Sequence, residues 1–442
     1  MCDNFKNLIY MNNTVRNLFL IIFTLICPNL LAYDCIVDGI YYNRIGTTEF
    51  EVAPLKNWRD IDANAEAYKG SVKIPSSVVY KGKTFQVTGI GDYAFYGCTL
   101  VSITIPSSVK YMGKCAFSGC KISSFDYLGD LTAWCKIQFD ANTSNPTEIT
   151  HHLFIKGKEI KDLLVPQDVT SICSYAFRGC WGITSATIPN NVTSIGENVF
   201  DGCSNLQVVN LSENLSIIES NTFIRCTSLT SITIPENVTY ISSNAFYGCS
   251  SLVSIKLPEN LTYIANHVFY GCTSLKSINL PSRCRFWQGA FQGCKSLKFI
   301  DIPKTTSILR EAFKDCSSLE TVIIRGCDKI ETSAFSGTKT LSSIYIYDTK
   351  PPYIDFAFDE NNYTWTDIYV PKGTKDTYKH DRHWCDFVSI LEFDATGINV
   401  VGNEDKKECV RYNIGGKKIA EPQRGVNIIK EDNGKIYKTL VK

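Results

Sequence analysis

The feature that most constrains this chain is a phenylalanine that returns at a fixed interval: Phe95, Phe117, Phe177, Phe200, Phe223, Phe246, Phe269, Phe291, Phe313, Phe335 and Phe358. Apart from the step between Phe117 and Phe177, neighbours lie 22 or 23 residues apart. Self-similarity at such a period marks a solenoid, in which each repeat is one coil laid on the next. A chain of 442 residues would otherwise suggest about three globular domains, but solenoids lengthen by adding coils rather than cores.

The unit reads L-x-S-I-x-I-P-x-x-V-x-x-I-x-x-x-A-F-x-G-C, as in Leu229 to Pro235 followed by Val238, Ile241 and Ala245 to Cys249. In Ile232-Thr233-Ile234 the period-two alternation turns both isoleucines to one face and Thr233 to the other. Pro235 ends the strand because it has no N–H to donate. Each coil is therefore predicted to give one short strand to a parallel ladder with rungs about 4.7–4.9 Å apart. Val238, Ile241 and Ala245 fill the interior, and Phe246 stacks on the phenylalanine of the adjacent coil. No coil can bury its apolar face alone, so both ends need caps. The expected fold is a mainly-β repeat solenoid with an N-terminal β cap and a C-terminal β tail.

This consensus resembles the BspA-like leucine-rich repeat family of secreted and surface proteins, over residues 93–360. Asp38-Gly-Ile-Tyr-Tyr-Asn43, with Val72 to Pro75 and Gly82 to Phe85, is similar to the cap that precedes the repeats in bacterial members. Short alternating runs with glycine turns there predict hairpins over the first coil, in a cap spanning 33–92. Tyr369 to Trp384 is similar to the family's closing unit, set at 361–391, and residues 392–442 form a β tail resembling the sorting-type tails of secreted Bacteroidetes proteins.

The gap between Phe117 and Phe177 holds thirty-seven residues more than one repeat, an irregular insertion placed at 121–162. It begins as a coil, with Ile122, Phe125 and Tyr127 at strand positions, but Trp134-Cys135 and a polar loop at 140–146 replace the usual turn. A hairpin through Lys156–Glu159 follows. Its expected role is a decoration that the stack tolerates.

Ahead of the cap, Lys6 and Arg16 precede the apolar run Leu18 to Cys27 and the small residue Ala32. Residues 1–32 read as a secretory signal peptide cleaved near Ala32, with Met11 an alternative start. The ten-residue run is about half of what spans a bilayer, so no transmembrane span is expected in the mature chain. Ile26 and Asp34 stand before Cys27 and Cys35, where a lipoprotein signal would place a small residue, which argues against lipid anchoring. Forty-five basic against 44 acidic residues leave no footprint for a phosphate backbone, so nucleic acid is excluded as a partner.

Nine of the nineteen cysteines, Cys98, Cys120, Cys180, Cys203, Cys226, Cys249, Cys272, Cys294 and Cys316, stand three residues after a repeat phenylalanine. Stacking places them in one column of odd count, and Thr338 and Asn361 replace them in later coils, so they read as buried free thiols that pack. Cys35, Cys115, Cys173, Cys284, Cys327, Cys385 and Cys409 share no register, and pairing among them is left open. His380-Asp-Arg-His383-Trp-Cys385 has metal-ligating ingredients but no second ligand pair, and reads as a polar turn. No nucleophile elbow, P-loop, H-E-x-x-H or dinucleotide fingerprint is present. Neither catalysis, a cofactor nor a metal is expected.

The outward strand positions form a face of small polar residues, among them Ser185, Thr187, Asn210, Ser231, Thr233 and Ser254. The last three coils instead place Phe299 and Asp301, Thr321 and Ile323, and Ser343 and Tyr345 there, which makes these six the candidate ligand-binding patch. The family resemblance implies adhesion to host extracellular-matrix or cell-surface proteins, on a secreted or outer-surface chain expected to be a monomer. The other readings are a glycan-binding or nutrient-capture protein, whose aromatic groups stack on sugar rings, and a structural envelope component.

Overall fold

In a regular coil the alternation seen in the sequence becomes a parallel rung. Ser231–Thr233 pairs with Ser254–Lys256 and sets Ile232 opposite Ile255; both isoleucines are buried, while Ser231, Thr233, Ser254 and Lys256 are exposed. The computed structural model describes residues 32–55, 67–305, 307–395, 409–413, 418–419, 425–431 and 436–441. They fall into two units, one within residues 1–184 and 195–203, the other within 185–194 and 204–442. The reading of residues 1–32 as a signal peptide falls almost entirely outside the described residues.

Each unit is mainly β. In the second, the coils carry two ladders where the sequence reading assigned one strand per coil. The first ladder includes Ser185–Thr187 with Val208–Asn210, and Phe299–Ile302, Thr321–Ile324, Ser343–Ile346, Asp367–Pro371 and Ser389–Phe393 in order. A second ladder runs through Ile217–Ile218, Tyr240–Ile241, Tyr263–Ile264 and Arg285–Phe286. It forms because the segment after Val238 is extended, with Ile241 turned in and Tyr240 facing outward. Ser277 to Asn279 forms no strand, although Ile278 is still buried there.

Between the ladders the repeat phenylalanines stack. Phe223, Phe246, Phe269, Phe291, Phe313, Phe335 and Phe358 follow one another at centroid spacings of 5.2–5.7 Å. In the first unit Phe95 stacks on Phe117, and Phe177 on Phe200. The turn around each phenylalanine up to Phe335 uses two left-handed residues. Two positions after Phe246 stands Gly248 at φ +72°, whereas two before it Asn244 adopts φ +57°. The later position falls to Arg225 and Asp315 in two coils, at φ +60° in each.

The N-terminal cap is built of hairpins. Cys35–Val37 pairs antiparallel with Ile40–Arg44 through Asp38-Gly39, and Ser77–Tyr80 with Lys83–Ile90 through Lys81-Gly82. Both turn residues have positive φ in each case, the type I′ geometry that matches strand twist. At the other end Trp384 and Tyr378 fill the closing unit. The indole N–H of Trp384 donates to the Pro352 carbonyl over 2.7 Å, and the Tyr378 hydroxyl to that of Asp348 over 2.9 Å. Beyond it, Lys418–Ile419, Cys409–Asn413, Gly425–Glu431 and Ile436–Val441 form a four-stranded antiparallel sheet in that order.

The insertion is not a decoration. Lys121–Tyr127 pairs in register with Thr99–Ile105, Trp134 is fully buried among Phe125, Tyr127 and Phe139, and the amide of Phe117 donates to the Thr143 carbonyl. Residues 140–147 thus occupy the rung a repeat turn would fill. Asn145 and Thr147, both fully buried, donate to the carbonyls of Ala176 and Arg178 respectively. Polar side chains here satisfy backbone groups that a regular turn would pair. The hairpin Phe154–Ile155 to Lys158–Glu159 follows, closed by Lys156-Gly157 at positive φ.

Candidate functional site

Three surface features could hold a ligand: the outer face of the first ladder, its C-terminal aromatic end, and the outer face of the second ladder. The candidate patch from the sequence lies at the aromatic end, and its side chains do sit on neighbouring rungs: Phe299 beside Thr321 beside Ser343, and Asp301 beside Ile323 beside Tyr345. They do not present an open surface. Ile323 is 1% exposed and Tyr345 5%, Thr321 and Ser343 are buried, and Phe299 and Asp301 are only half-exposed.

The cause is rung spacing. Large groups on adjacent rungs cover one another: Tyr345 stacks on Tyr369 at 4.4 Å, and Phe393 closes edge-on over Tyr345 and Tyr347. Ile323, Tyr345 and Phe393 form a small core with Phe299, Tyr347 and Tyr369 packed against it. Asp301 is already bound: Arg325 donates to both its carboxylate oxygens, at 2.9 and 2.6 Å, with its guanidinium 4.6 Å from the Tyr347 ring centre. Hydrogen bonding to Asp301 raises the Arg325 pKa further, so the cation is permanent.

Where the sequence placed mostly small polar residues, the face is open. Thr187, Val208, Asn210, Ser231, Thr233, Ser254 and Lys256 are exposed, Val208 to 52%. Asn210 donates to the Thr187 hydroxyl across the rung at 3.4 Å.

The second ladder carries aromatic groups that sequence reasoning passed over. Tyr240 and Tyr263 are opposite one another, their rings stacked at 4.7 Å and 9°; Arg285 continues the register beside Tyr263, and Trp287 leans on Tyr263 at 5.5 Å and 50°. The signal was present: Tyr240 and Tyr263 hold the same place in the repeat, 23 residues apart.

All nine column cysteines are buried and free. The thiols of Cys203, Cys249, Cys272, Cys294 and Cys316 each donate to the carbonyl of the phenylalanine one coil back, at 3.1–3.2 Å. Burial pushes Cys249 and Cys316 up to about 12, far from a reactive thiolate. Thr338 keeps the column small, its hydroxyl donating to the carbonyl of Phe335. The next equivalent is Asn362 rather than Asn361: a helix, Glu360–Trp365, replaces the turn, leaving Asn361 exposed and burying Asn362. Of the off-register cysteines, Cys173 is tied through its backbone to Cys135 of the insertion, its amide donating to the Cys135 carbonyl at 2.9 Å.

His380 and His383 do not converge. His380 approaches the Asp376 carbonyl, while His383 contacts Arg382 and lies edge-on to Tyr353. Among the described residues no three His, Cys, Asp or Glu side chains are grouped to hold a metal ion. Nor, among them, is any helix long and apolar enough to cross a membrane.

Stacked coils with two parallel ladders and a phenylalanine spine define a leucine-rich repeat solenoid. Residues 64–180, 147–255 and 239–364 match the BspA type leucine rich repeat region in six copies, and the chain belongs to that family. A leucine-rich repeat protein from Bacteroides ovatus shares this fold: it is 23% identical, the match covers 82% of this chain and 100% of that one, and the TM-score is 0.51. A leucine rich cell surface protein from Faecalibacterium prausnitzii is 23% identical over 71% of this chain and 94% of its own, with a TM-score of 0.42. The pneumococcal vaccine antigen PcpA is 17% identical over 72% and 95%, also at 0.42. No curated protein matches the chain.

Proposed function

We propose that this chain is a secreted or cell-surface adhesion protein that binds a host matrix or cell-surface protein and performs no catalysis. The observation that carries this reading is the open face of the first ladder from Thr187 to Lys256, where the outward side chains are exposed and mostly small. A rigid row of hydroxyls and amides around the exposed Val208 offers hydrogen bonds and one apolar anchor with little side-chain entropy to lose. Membership of a leucine-rich repeat family supports protein–protein interaction as its use. Export through residues 1–32 and attachment through residues 392–442 complete the reading.

The test is binding of residues 33–442 to immobilised matrix proteins, beside Val208→Asp/Thr233→Asp and, separately, Phe299→Ser/Tyr345→Ser. Saturable binding that drops at least tenfold in the first variant is expected. Binding indifferent to Val208 and Thr233, or none to any matrix protein by a folded chain, overturns it.

A further inference from the structure

We propose that the outer face of the second ladder is a separate binding site for an anionic sugar chain, formed by Tyr240, Tyr263, Arg283, Arg285 and Trp287. The segment after Pro281 departs from the repeat. Where the two preceding coils place Tyr-Ile at the rung, this one places Arg285-Phe286 and follows it with Trp287. Burial alternates along it: Cys284 and Phe286 are interior, whereas Arg283, Arg285 and Trp287 are exposed. Arg285 and Trp287 therefore share one face, about 7 Å apart along the rung, and Arg283 stands exposed in the turn that leads into it.

Each group has a distinct use. Arg285 sits directly beside Tyr263 in the ladder, and among the described residues no carboxylate pairs with Arg283 or Arg285, so both forks are free for carboxylate or sulfate. Trp287 is 44% exposed and tilted off Tyr263, which leaves apolar indole surface for the C–H face of a pyranose. Tyr240 and Tyr263 cover each other's faces, so what they turn outward is ring edge and hydroxyl, suited to sugar hydroxyls. Two exposed, unpaired cations beside an open indole match a polymer with repeating acid groups. A single-stranded nucleic acid would need successive open ring faces, and here the tyrosine faces are taken.

The experiment titrates residues 33–442 with heparin (sulfated), polygalacturonate (carboxylated), neutral dextran and a single-stranded oligonucleotide. Saturable binding of heparin or polygalacturonate, weakening as salt is raised, is expected, with dextran silent; which polymer binds more tightly identifies the acid group. Arg283→Gln/Arg285→Gln should weaken binding at least tenfold and flatten the salt dependence. Trp287→Ala should weaken it while keeping that dependence, and neither change should alter matrix-protein binding through the first ladder. Because these side chains are on the surface, thermal melting by circular dichroism should show both variants folded; if Trp287→Ala is not, the arginine variant decides alone. The proposal is overturned if neither polysaccharide binds, if the variants bind like the parent, if dextran binds equally, or if the oligonucleotide binds as tightly.

Discussion

The thiol of Cys249 donates across 3.1 Å to the carbonyl of Phe223 in the preceding coil, an oxygen that already accepts the amide of Cys226. The column thus uses the carbonyl's second lone pair, and each thiol is both a small packing group and a weak donor. A disulfide between neighbours would have to give up these bonds.

The first prediction concerns thiol reactivity. In the native chain a thiol reagent should find the exposed Cys385 and, more slowly, the half-buried Cys115 and Cys173. Denaturation without reductant should release the whole column. A denatured count short by two for any pair of column cysteines would disprove the free-thiol arrangement.

Alkaline pH provides a second test. Burial raises Cys249 and Cys316 from the ordinary 9.0 to about 12, so the folded state holds these protons more tightly than the unfolded chain. Their contribution is fully present below about pH 9 and is lost as pH rises from 9 towards 12. Denaturation midpoints should be level from pH 7 to 8.5 and fall above that. Cys249→Ala should fall less steeply, and an identical slope in that variant would remove the thiol from the explanation.

The phenylalanine spine sets the third. Phe246 is fully buried between Phe223 and Phe269, so Phe246→Ala should cost about 3–5 kcal/mol. Asp315→Gly, which relieves a left-handed non-glycine at φ +60°, should raise stability by a few tenths to about 1 kcal/mol. Urea unfolding of both variants measures the two opposite signs.

At the aromatic end, Tyr345→Ser should act on stability. Losing the stack on Tyr369 and the edge contact with Phe393 should cost about 2–4 kcal/mol. Affinity for a matrix protein should be unchanged in the folded fraction. A folded variant of full stability with weakened binding would return the patch to the role its sequence suggested.

In the insertion, Asn145→Ala should cost about 1–3 kcal/mol, because the carbonyls of Tyr175 and Ala176 each lose a donor. Thermal unfolding reads the loss. A neutral change would mean that residues 140–147 are not part of the stack.

Much of the fold was legible. The period, the buried isoleucines of each first strand, the stacking phenylalanines and the glycine two positions after most of them all follow from local pattern, because every coil solves the same packing problem. The hairpins of the N-terminal cap were legible for a similar reason: X-Gly turns between alternating runs specify their own geometry. The second ladder was harder to see, since its strands are two residues long and only one residue of each faces outward. The candidate patch misled for a definite reason. Strand alternation tells which face Ile323 and Tyr345 occupy, but not whether Tyr369 and Phe393 lie over that face.

By itself, then, the sequence determined the repeat, its strand faces and the identity of the spine, because these depend on residues within one coil and its immediate copy. Tertiary structure decided which outward residues meet solvent. Exposure depends on what stands on the next rung, and groups as distant in sequence as Phe299 and Phe393 share one small core. The same logic makes a rung of the polar loop at 140–147, whose buried Asn145 and Thr147 find their partners some thirty residues further along the chain.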